Sequence, residues 1–376
     1  MNHYKSLQVF FEGQPVGTLA VARDYRVAFS YHDSWLAEGF SLNPLSLPLR
    51  KGVFLPKKYD PFEGLFGVFA DSLPDGWGRL LVDRLLRKRG VDPFQVDSLN
   101  RLAIVGSGGM GALTYQPETL LTDETADLSL DQIAVECNRM LTVDYSDNLD
   151  ELFEKGGSSG GARPKIFTQI DGEEWIVKFP SSADRADIGT EEYAYSVCAR
   201  KCGIDIPETR LLPSALCSGY FAVKRFDRRK MQRVHMVSVS GLLETSHRIP
   251  NLDYNTLMQL TFLLTHNYEE IEKLYRLMCF NVFAHNRDDH SKNFSFLYED
   301  QHWRLSPAYD LTFSNSMGRE HATTVAGNGR NPGMRDLLAV AGQIKYDSKK
   351  AMAIAKEVQE IVNEELSPFM KERTTR

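Results

Sequence analysis

The sequence pattern changes at about residue 230, and this change limits the folds that the chain can adopt. Three short apolar segments begin the chain, at 7–11, 16–21 and 26–31, with turn residues such as Glu12-Gly13 between them, which predicts a small antiparallel meander. Strand-like segments recur up to about residue 230, whereas apolar residues beyond it follow helical spacing. The sequence therefore predicts an α+β protein in which a strand-rich part precedes a helical part.

Local signals place the remaining elements. A helix is expected after Pro74-Asp75-Gly76 and should stop at Gly90. Further helices are expected at 130–141, 189–202, 257–265, 268–284 and 348–369. Further strands are expected at 165–170, at 174–179 and around Leu211 and Phe221. A chain of 376 residues is typical of two or three domains, and a polar boundary stretch at 117–128 leads us to divide it into 1–118, 119–230 and 231–376.

Composition narrows the class of protein. A net charge of -6 argues against a surface built throughout to bind nucleic acid or an anionic membrane. The five cysteines form no CxxC pair, so neither a disulfide framework nor a zinc knuckle is indicated. The start of the chain lacks a charged segment followed by an apolar one, and no run of 18 apolar residues occurs. We therefore expect a cytoplasmic protein.

A glycine cluster at 105–117 imitates a dinucleotide-binding fingerprint through the spacing of Gly106, Gly108 and Gly111. A true fingerprint follows a strand and opens a helix, whereas the residues Leu113 to Tyr115 here predict a strand that ends in proline. We interpret the cluster as a structural turn.

The segment HNRDDHSKN, residues 285–293, carries the strongest chemical signal. Asp288 and Asn293 stand five residues apart, which is the spacing of the base and of an asparagine metal ligand in protein-kinase catalytic loops. Asp310 follows Asn293 by seventeen residues, after two strand-like segments. Two oxygen ligands of this kind suit magnesium bound to nucleotide phosphates. The pattern favours phosphoryl transfer, with Asp288 as base and Asn293 and Asp310 as magnesium ligands.

Two upstream features fit the same chemistry. Lys178 lies in an apolar strand, where a buried cation needs an anionic partner such as a phosphate. The glycine-rich stretch 156–165 offers backbone N–H groups and Lys165 to phosphates. Taken alone, Lys178 could be an ordinary edge-strand lysine, and the glycine-rich stretch could be a flexible linker. The nucleotide is expected between a strand-rich lobe and a helical lobe.

A rival interpretation of 285–293 is a metal-hydrolase cluster, in which His285, Asp288, Asp289 and His290 are ligands. We disfavour it, because it leaves Lys178 and the glycine-rich stretch unexplained.

Several longer segments resemble the HipA family, the serine/threonine kinase toxins of bacterial toxin–antitoxin systems. The resemblance covers nearly the whole chain, and together its motifs are specific. The segments are LQVFFEGQPVGTL, FADSLPDGWGRLLVDR, GGARPK, WIVKFP, VKRFDR, DDHSKNFSF and SPAYDL. It implies a two-lobed protein-kinase-like fold, preceded by a small β-rich subdomain.

The resemblance also implies site residues. Asp288 would be the base, and Asn293 and Asp310 would hold Mg²⁺. ATP would be held by Gly160, Gly161, Ala162, Arg163, Pro164, Lys165, Lys178, Lys224, Arg225, Phe226, His290, Ser291, Lys292, Asn293 and Asp310. The family often has glutamate at the position of Lys224, so the finer adenine contacts can differ here.

HipA-like kinases phosphorylate a serine of their own glycine loop, which ejects the loop and silences the enzyme. Ser158 matches that position, and Ser159 is the alternative. A phosphate there would add about two negative charges among amides meant for ATP. The plain alternative is that both serines only make the loop flexible.

The resemblance implies protein partners as well. The usual partner is a helix-turn-helix antitoxin that binds operator DNA, so DNA contact is expected only through the antitoxin, and no membrane contact is expected. Protein targets of the family include aminoacyl-tRNA synthetases. A small-molecule kinase of similar fold and a non-catalytic pseudokinase remain alternatives, because no residue here defines an acceptor groove.

Overall fold

The computed structural model describes residues 3–121, 128–143, 148–157, 159, 161–182, 184–230, 232–314 and 317–374. The chain divides into two compact units. The first consists of Met1–Gly189, Leu211–Val237 and Gly241–Thr245, and the second of Thr190–Arg210, Ser238–Ser240 and Ser246–Arg376. The three domains predicted from the sequence have other boundaries than these two units, and that division stays a prediction.

The strands are short and concentrated before residue 240. They are β1 Ser6–Phe11, β2 Gln14–Val21, β3 Val27–Tyr31, β4 Leu113–Gln116, β5 Lys165–Ile170, β6 Glu173–Lys178, β7 Thr209–Leu212, β8 Tyr220–Lys224, β9 Arg228–Arg229, β10 Gln232–Arg233, β11 His235–Ser238, β12 Leu252–Asp253, β13 Ser295–Glu299, β14 His302–Leu305 and β15 Thr323–Thr324.

The α-helices carry most of the later chain. They are α1 Asp33–Glu38, α2 Gly67–Ala70, α3 Gly76–Lys88, α4 Ser98–Val105, α5 Leu130–Val143, α6 Leu149–Gly156, α7 Ile188–Lys201, α8 Val239–Leu242, α9 Tyr254–Thr265, α10 Tyr268–Phe283, α11 Met334–Gln343 and α12 Ser348–Thr374. Short 3-10 turns occur at Pro93–Gln95, Ser291–Asn293 and Met317–Arg319.

Two antiparallel sheets lie in the first unit. One has the order β3-β2-β1-β4, which confirms the predicted meander and adds β4 beside β1. In the other, β6 pairs with both β5 and β8. An apolar core joins this sheet to α3, because Trp77 and Leu81 of the helix lie in the same buried cluster as Ile166 and Trp175 of the strands. Leu152 of α6 and Ile166 of β5, which flank the glycine-rich stretch, belong to the same core.

The glycine cluster is a structural turn, as predicted. It follows α4 and leads into β4, and Gly106 and Gly111 have positive φ values of 52° and 71°. The N–H of Gly111 donates to the buried carboxylate of Asp227, at 2.7 Å. Burial alone would raise the pKa of Asp227, but the guanidinium groups of Arg225 and Arg228 and this N–H lower it to about 2.

The second unit is mainly helical, as predicted. Helix α10 packs against α9 and α12. Asp253 caps α9 by accepting the N–H of Asn255 at 2.8 Å, and Asn267 caps α10 in the same way. Strands β13 and β14 form an antiparallel hairpin that follows the segment 285–293. Among the described residues, no helix is long and apolar enough to span a membrane.

Candidate functional site

The segment 285–293 leaves the end of α10 and turns sharply. His285 takes a left-handed conformation with a φ of 52°, and Ser291–Asn293 form a single 3-10 turn. The side-chain amide of Asn293 donates to the backbone carbonyl of Asp288, at 2.6 Å. This bond uses the amide nitrogen, so Oδ1 of Asn293 is the atom that can bind a metal. The Asp288 side chain is 59% exposed, so an incoming group can reach it, and its role as base stays a prediction.

Asp310 is brought to the same segment by its neighbour Tyr309. The Tyr309 hydroxyl donates to the carbonyl of Lys292 at 2.6 Å and also contacts Oγ of Ser295 at 2.6 Å. Asp310 itself has a φ of 53°, a region that non-glycine residues rarely adopt and that is common at functional sites. The two predicted magnesium ligands, Asn293 and Asp310, therefore lie on segments that Tyr309 ties together.

Between Asp288 and Asn293, the side chain of His290 caps the 3-10 turn. Nδ1 of His290 accepts the N–H of Lys292 at 3.3 Å, which places the ring proton on Nε2. That Nε2 lies 3.8 Å from a carboxylate oxygen of Asp288. Ser291 is buried. Their assignment to ATP binding stays a prediction.

Asp289 and His285, two ligands of the rival metal-site interpretation, are surrounded by protein groups. Asp289 is buried, and its carboxylate accepts hydrogen bonds from Tyr254, His321 and Thr323. Burial lowers the pKa of His285, and the nearby Arg287 lowers it further. Within the described ranges, no group of three or more His, Cys, Asp or Glu side chains is arranged to hold a metal ion.

In the first unit, two buried lysines face each other across adjacent strands. Lys165 of β5 is paired in register with Lys178 of β6, and the two are 7% and 9% exposed. The Lys178 ammonium also lies 5.6 Å from the centre of the Phe221 ring. The sheet therefore places two cationic side chains next to each other, and their assignment to ATP binding stays a prediction.

The glycine-rich stretch packs against the start of α3. The carboxylate of Asp75 accepts the N–H of Gly161, and the N–H of Trp77 donates to the Gly161 carbonyl at 2.9 Å. The Ser159 hydroxyl is buried and donates to the carbonyl of Gly156 at 2.6 Å. Gly161 and Ala162 are exposed, whereas Arg163 pairs with Asp184 and Pro164 is buried. Ser158 and Gly160 lie outside the described residues.

This packing predicts a specific effect of Gly78→Ala. A Cβ atom at Gly78 would lie 2.2 Å from the Ser159 carbonyl oxygen, so the loop has to move. We expect the affinity for Mg–ATP to fall by about tenfold or more, because a displacement of roughly 1 Å disrupts positioned contacts. Isothermal titration calorimetry measures the affinity.

The matched control is Gly342→Ala, which makes the same change in helix α11. Nothing lies within 4 Å of a Cβ atom there, so this variant should bind as the wild type does and gain about 0.5–1 kcal/mol in stability. Equal nucleotide affinity in the two variants would contradict a role of this packing in binding.

The predicted adenine segment, Lys224 to Phe226, begins at the end of β8. Lys224 pairs with Glu173 at 3.0 Å. The N–H of Arg225 donates to the Glu174 carbonyl at 2.8 Å, and the buried guanidinium bonds to Asp227. Arg225 therefore supports the fold through both its backbone and its side chain, and the adenine role of this segment stays a prediction.

One pair of acidic residues was missed in the sequence. Glu191 and Glu192 are buried in the first turns of α7, and the Thr312 hydroxyl donates to Glu191 at 3.4 Å, two residues after Asp310. In protein kinases, the helix that follows the strand lysine carries a functional glutamate. Two consecutive glutamates in the helix after Lys178 were the signal that could have identified them.

Comparisons with known proteins identify the family of this chain. The family model of the HipA-like C-terminal domain matches residues 157–366, and that of the HipA N-terminal domain matches residues 7–116. Two Sinorhizobium fredii proteins that are named as kinases, Y4dM and Y4mE, are 29% and 27% identical to the chain. Each alignment covers 81% of this chain and 76% of the relative.

The solved HipA of Shewanella oneidensis MR-1, in a complex with HipB and its operator DNA, has a similar fold. The TM-score is 0.71 at 17% sequence identity, and the match covers 97% of this chain and 90% of that one. This likeness confirms the predicted fold class, a kinase-like α+β fold with a β-rich N-terminal part. With both family models matched in order along the sequence, the chain belongs to the HipA-like family.

Proposed function

We propose that this chain is an ATP- and magnesium-dependent protein serine/threonine kinase of the toxin type. The observation that carries the proposal is the arrangement around Asp288, where Asn293 is bonded to the Asp288 carbonyl and Tyr309 ties the Asp310 segment to Lys292. A base and two oxygen ligands are thereby held on neighbouring segments of one unit. The kinase names of the relatives support the same chemistry.

The side chains fit the groups that this reaction needs. In the first unit, the facing pair Lys165 and Lys178 would provide positive charge for phosphates. In the second unit, Oδ1 of Asn293 and the carboxylate of Asp310 are hard oxygen ligands of the kind that magnesium prefers. A bound Mg²⁺ would neutralise charge on the phosphates. Lys178 would hold the phosphates in place for the acceptor.

In the proposed step, the acceptor serine Oγ forms a bond to the γ-phosphorus as the bond from that phosphorus to the bridging oxygen of ADP breaks. The hydroxyl proton passes to the carboxylate of Asp288, which is exposed enough to reach an incoming side chain. ADP leaves with the electron pair of the broken bond. Asp288 then loses the proton to solvent.

The finer proposals concern regulation and partners. We assign self-inhibiting autophosphorylation to Ser158 rather than Ser159, since the Ser159 hydroxyl is buried and bonded to Gly156. The solved HipA is in a complex with HipB and its operator DNA. From the family resemblance, the partner that we propose is a helix-turn-helix antitoxin, with DNA reached only through it. An aminoacyl-tRNA synthetase is the kind of protein target that we propose.

Labelling of a cell lysate tests the proposal. The purified chain is incubated with the lysate, magnesium and ATP labelled at the γ-phosphate, and phosphoserine is located by mass spectrometry. We expect label on a small number of proteins, with none when magnesium is chelated. Label confined to metabolites would instead indicate a small-molecule kinase, and no label on any fraction would indicate a pseudokinase.

A further inference from the structure

A buried polar cluster lies beneath the segment that carries Asp288. It is built from side chains on α9, α10, the 285–293 segment, β15 and the residues just before β15, all within the second unit. Its members are between 0% and 3% exposed: Tyr254, Asn281, Asn286, Asp289, His321 and Thr323. Burying six polar side chains is costly unless each finds hydrogen-bond partners.

Asp289 is at the centre of this cluster. Its Oδ2 accepts from the Tyr254 hydroxyl and from Nδ1 of His321, each at 3.0 Å. Its Oδ1 accepts the backbone N–H of Thr323 at 3.1 Å, and its own carbonyl accepts the Thr323 hydroxyl. Three hydrogen-bond donors offset the cost of burying this carboxylate, and they fix the orientation of the Asp289 side chain.

A second branch of the cluster reaches the other side of Asp288. Nδ2 of Asn281 donates to the Tyr254 hydroxyl, and Nδ2 of Asn286 donates to Oδ1 of Asn281, both at 2.9 Å. Burial and the nearby Asp289 carboxylate raise the pKa of Tyr254, so this hydroxyl keeps its proton and donates to Asp289. One tyrosine thereby connects the anchors at Asn286 and Asp289.

The backbone contacts follow the same pattern. The N–H of Asn286 donates to the carbonyl of Asn281 at 3.0 Å, and the carbonyl of Arg287 accepts the N–H of Ala322 at 3.1 Å. The backbone that carries the exposed side chain of Asp288 is therefore held between buried anchors on both sides. A base fixed in this way loses little freedom when an acceptor binds, which is what a positioned catalytic group requires.

We propose that Asp289, Tyr254 and Thr323 are positioning residues, which orient Asp288 for proton transfer through this cluster and touch neither nucleotide nor acceptor. The inference rests on the proposed kinase function. It gives a role to Asp289, the second aspartate of the Asp-Asp pair, that a purely structural carboxylate would not have. The expected signature is a lower kcat with little change in the KM for ATP.

The first test compares two buried tyrosines. Tyr254→Phe removes the hydroxyl that joins the anchors, and Tyr275→Phe removes a hydroxyl from α10 at a residue that is equally buried but lies outside the cluster. We expect kcat to fall by about tenfold to a hundredfold in Tyr254→Phe alone, with the KM for ATP within roughly twofold of the wild type. Steady-state kinetics with a labelled protein substrate give both values.

A second pair keeps the inference testable if Tyr254→Phe does not fold. Thr323→Val removes the hydroxyl that donates to the Asp289 carbonyl at nearly constant volume, and Thr323→Ser restores it. The serine variant should have a kcat at least about tenfold above that of the valine variant.

The outcomes separate the two claims. Suppose that the wild type transfers phosphate. If Tyr254→Phe then has the same kcat as Tyr275→Phe, or Thr323→Val has the same kcat as Thr323→Ser, the positioning role is overturned and the kinase function stands. If the wild type transfers no phosphate to any acceptor, the proposed function fails, and the positioning role fails with it.

Discussion

Asp288→Asn is expected to lower the rate of phosphoryl transfer by a factor of about 10²–10⁴, because an amide cannot accept the proton of the acceptor hydroxyl. Mg–ATP binding should be retained, since the variant keeps Asn293 and Asp310 and the backbone carbonyl to which Asn293 bonds. Transfer of labelled phosphate to a protein substrate measures the rate, and calorimetry measures the binding.

The control is Asp300→Asn, the same substitution in the turn between β13 and β14. Asp300 is exposed with a φ of 50°, and asparagine tolerates this left-handed conformation well. This variant should transfer phosphate at the rate of the wild type. If the Asp288 and Asp300 variants are equally active, Asp288 is not the base.

Lys178→Met is expected to weaken ATP binding by on the order of a hundredfold, since methionine has a similar length but no charge for the phosphates. At a concentration of 100 times the wild-type Kd, Mg–ATP stabilises the wild type by about 2.7 kcal/mol. The same concentration would stabilise the variant by only about 0.4 kcal/mol. Chemical denaturation with and without Mg–ATP measures this difference.

Lys201→Met serves as the control for loss of a lysine. Lys201 lies on α7, is about half exposed and pairs with Glu365 at 2.6 Å, an ion pair of a kind that contributes little to stability. ATP should stabilise the Lys201→Met variant as much as it stabilises the wild type. An unchanged nucleotide effect in Lys178→Met would show that Lys178 does not hold the phosphates.

Local patterns predicted the elements on which the proposed site residues lie. The meander at 7–31, strand β6 with Lys178 and helices α9 and α10 were all recognisable from short-range spacing, because side-chain period and caps are local properties. The spacing of Asp288 and Asn293 similarly identified one turn of chain, in which the amide of Asn293 reaches back to the Asp288 carbonyl. These features depend on few neighbours in sequence.

The features that the sequence did not reveal depend on distant partners. Asp289 was set aside as a metal ligand, and its function in the fold became visible only through His321 and Thr323, more than thirty residues later. The contact of Asp75 with Gly161 joins residues that are 86 positions apart. No periodicity encodes such pairings, because they join residues that are far apart in the sequence.

Calorimetric titration of the wild-type chain with a non-hydrolysable ATP analogue tests the central claim most directly, namely that this chain binds nucleotide phosphates together with magnesium. We predict one analogue bound per chain in the presence of magnesium, and binding weakened at least about tenfold by chelation of the metal or by Asp310→Asn. The claim would be contradicted if no binding occurred at a millimolar concentration of the analogue. It would also be contradicted if neither removal of magnesium nor substitution of Asp310 changed the affinity.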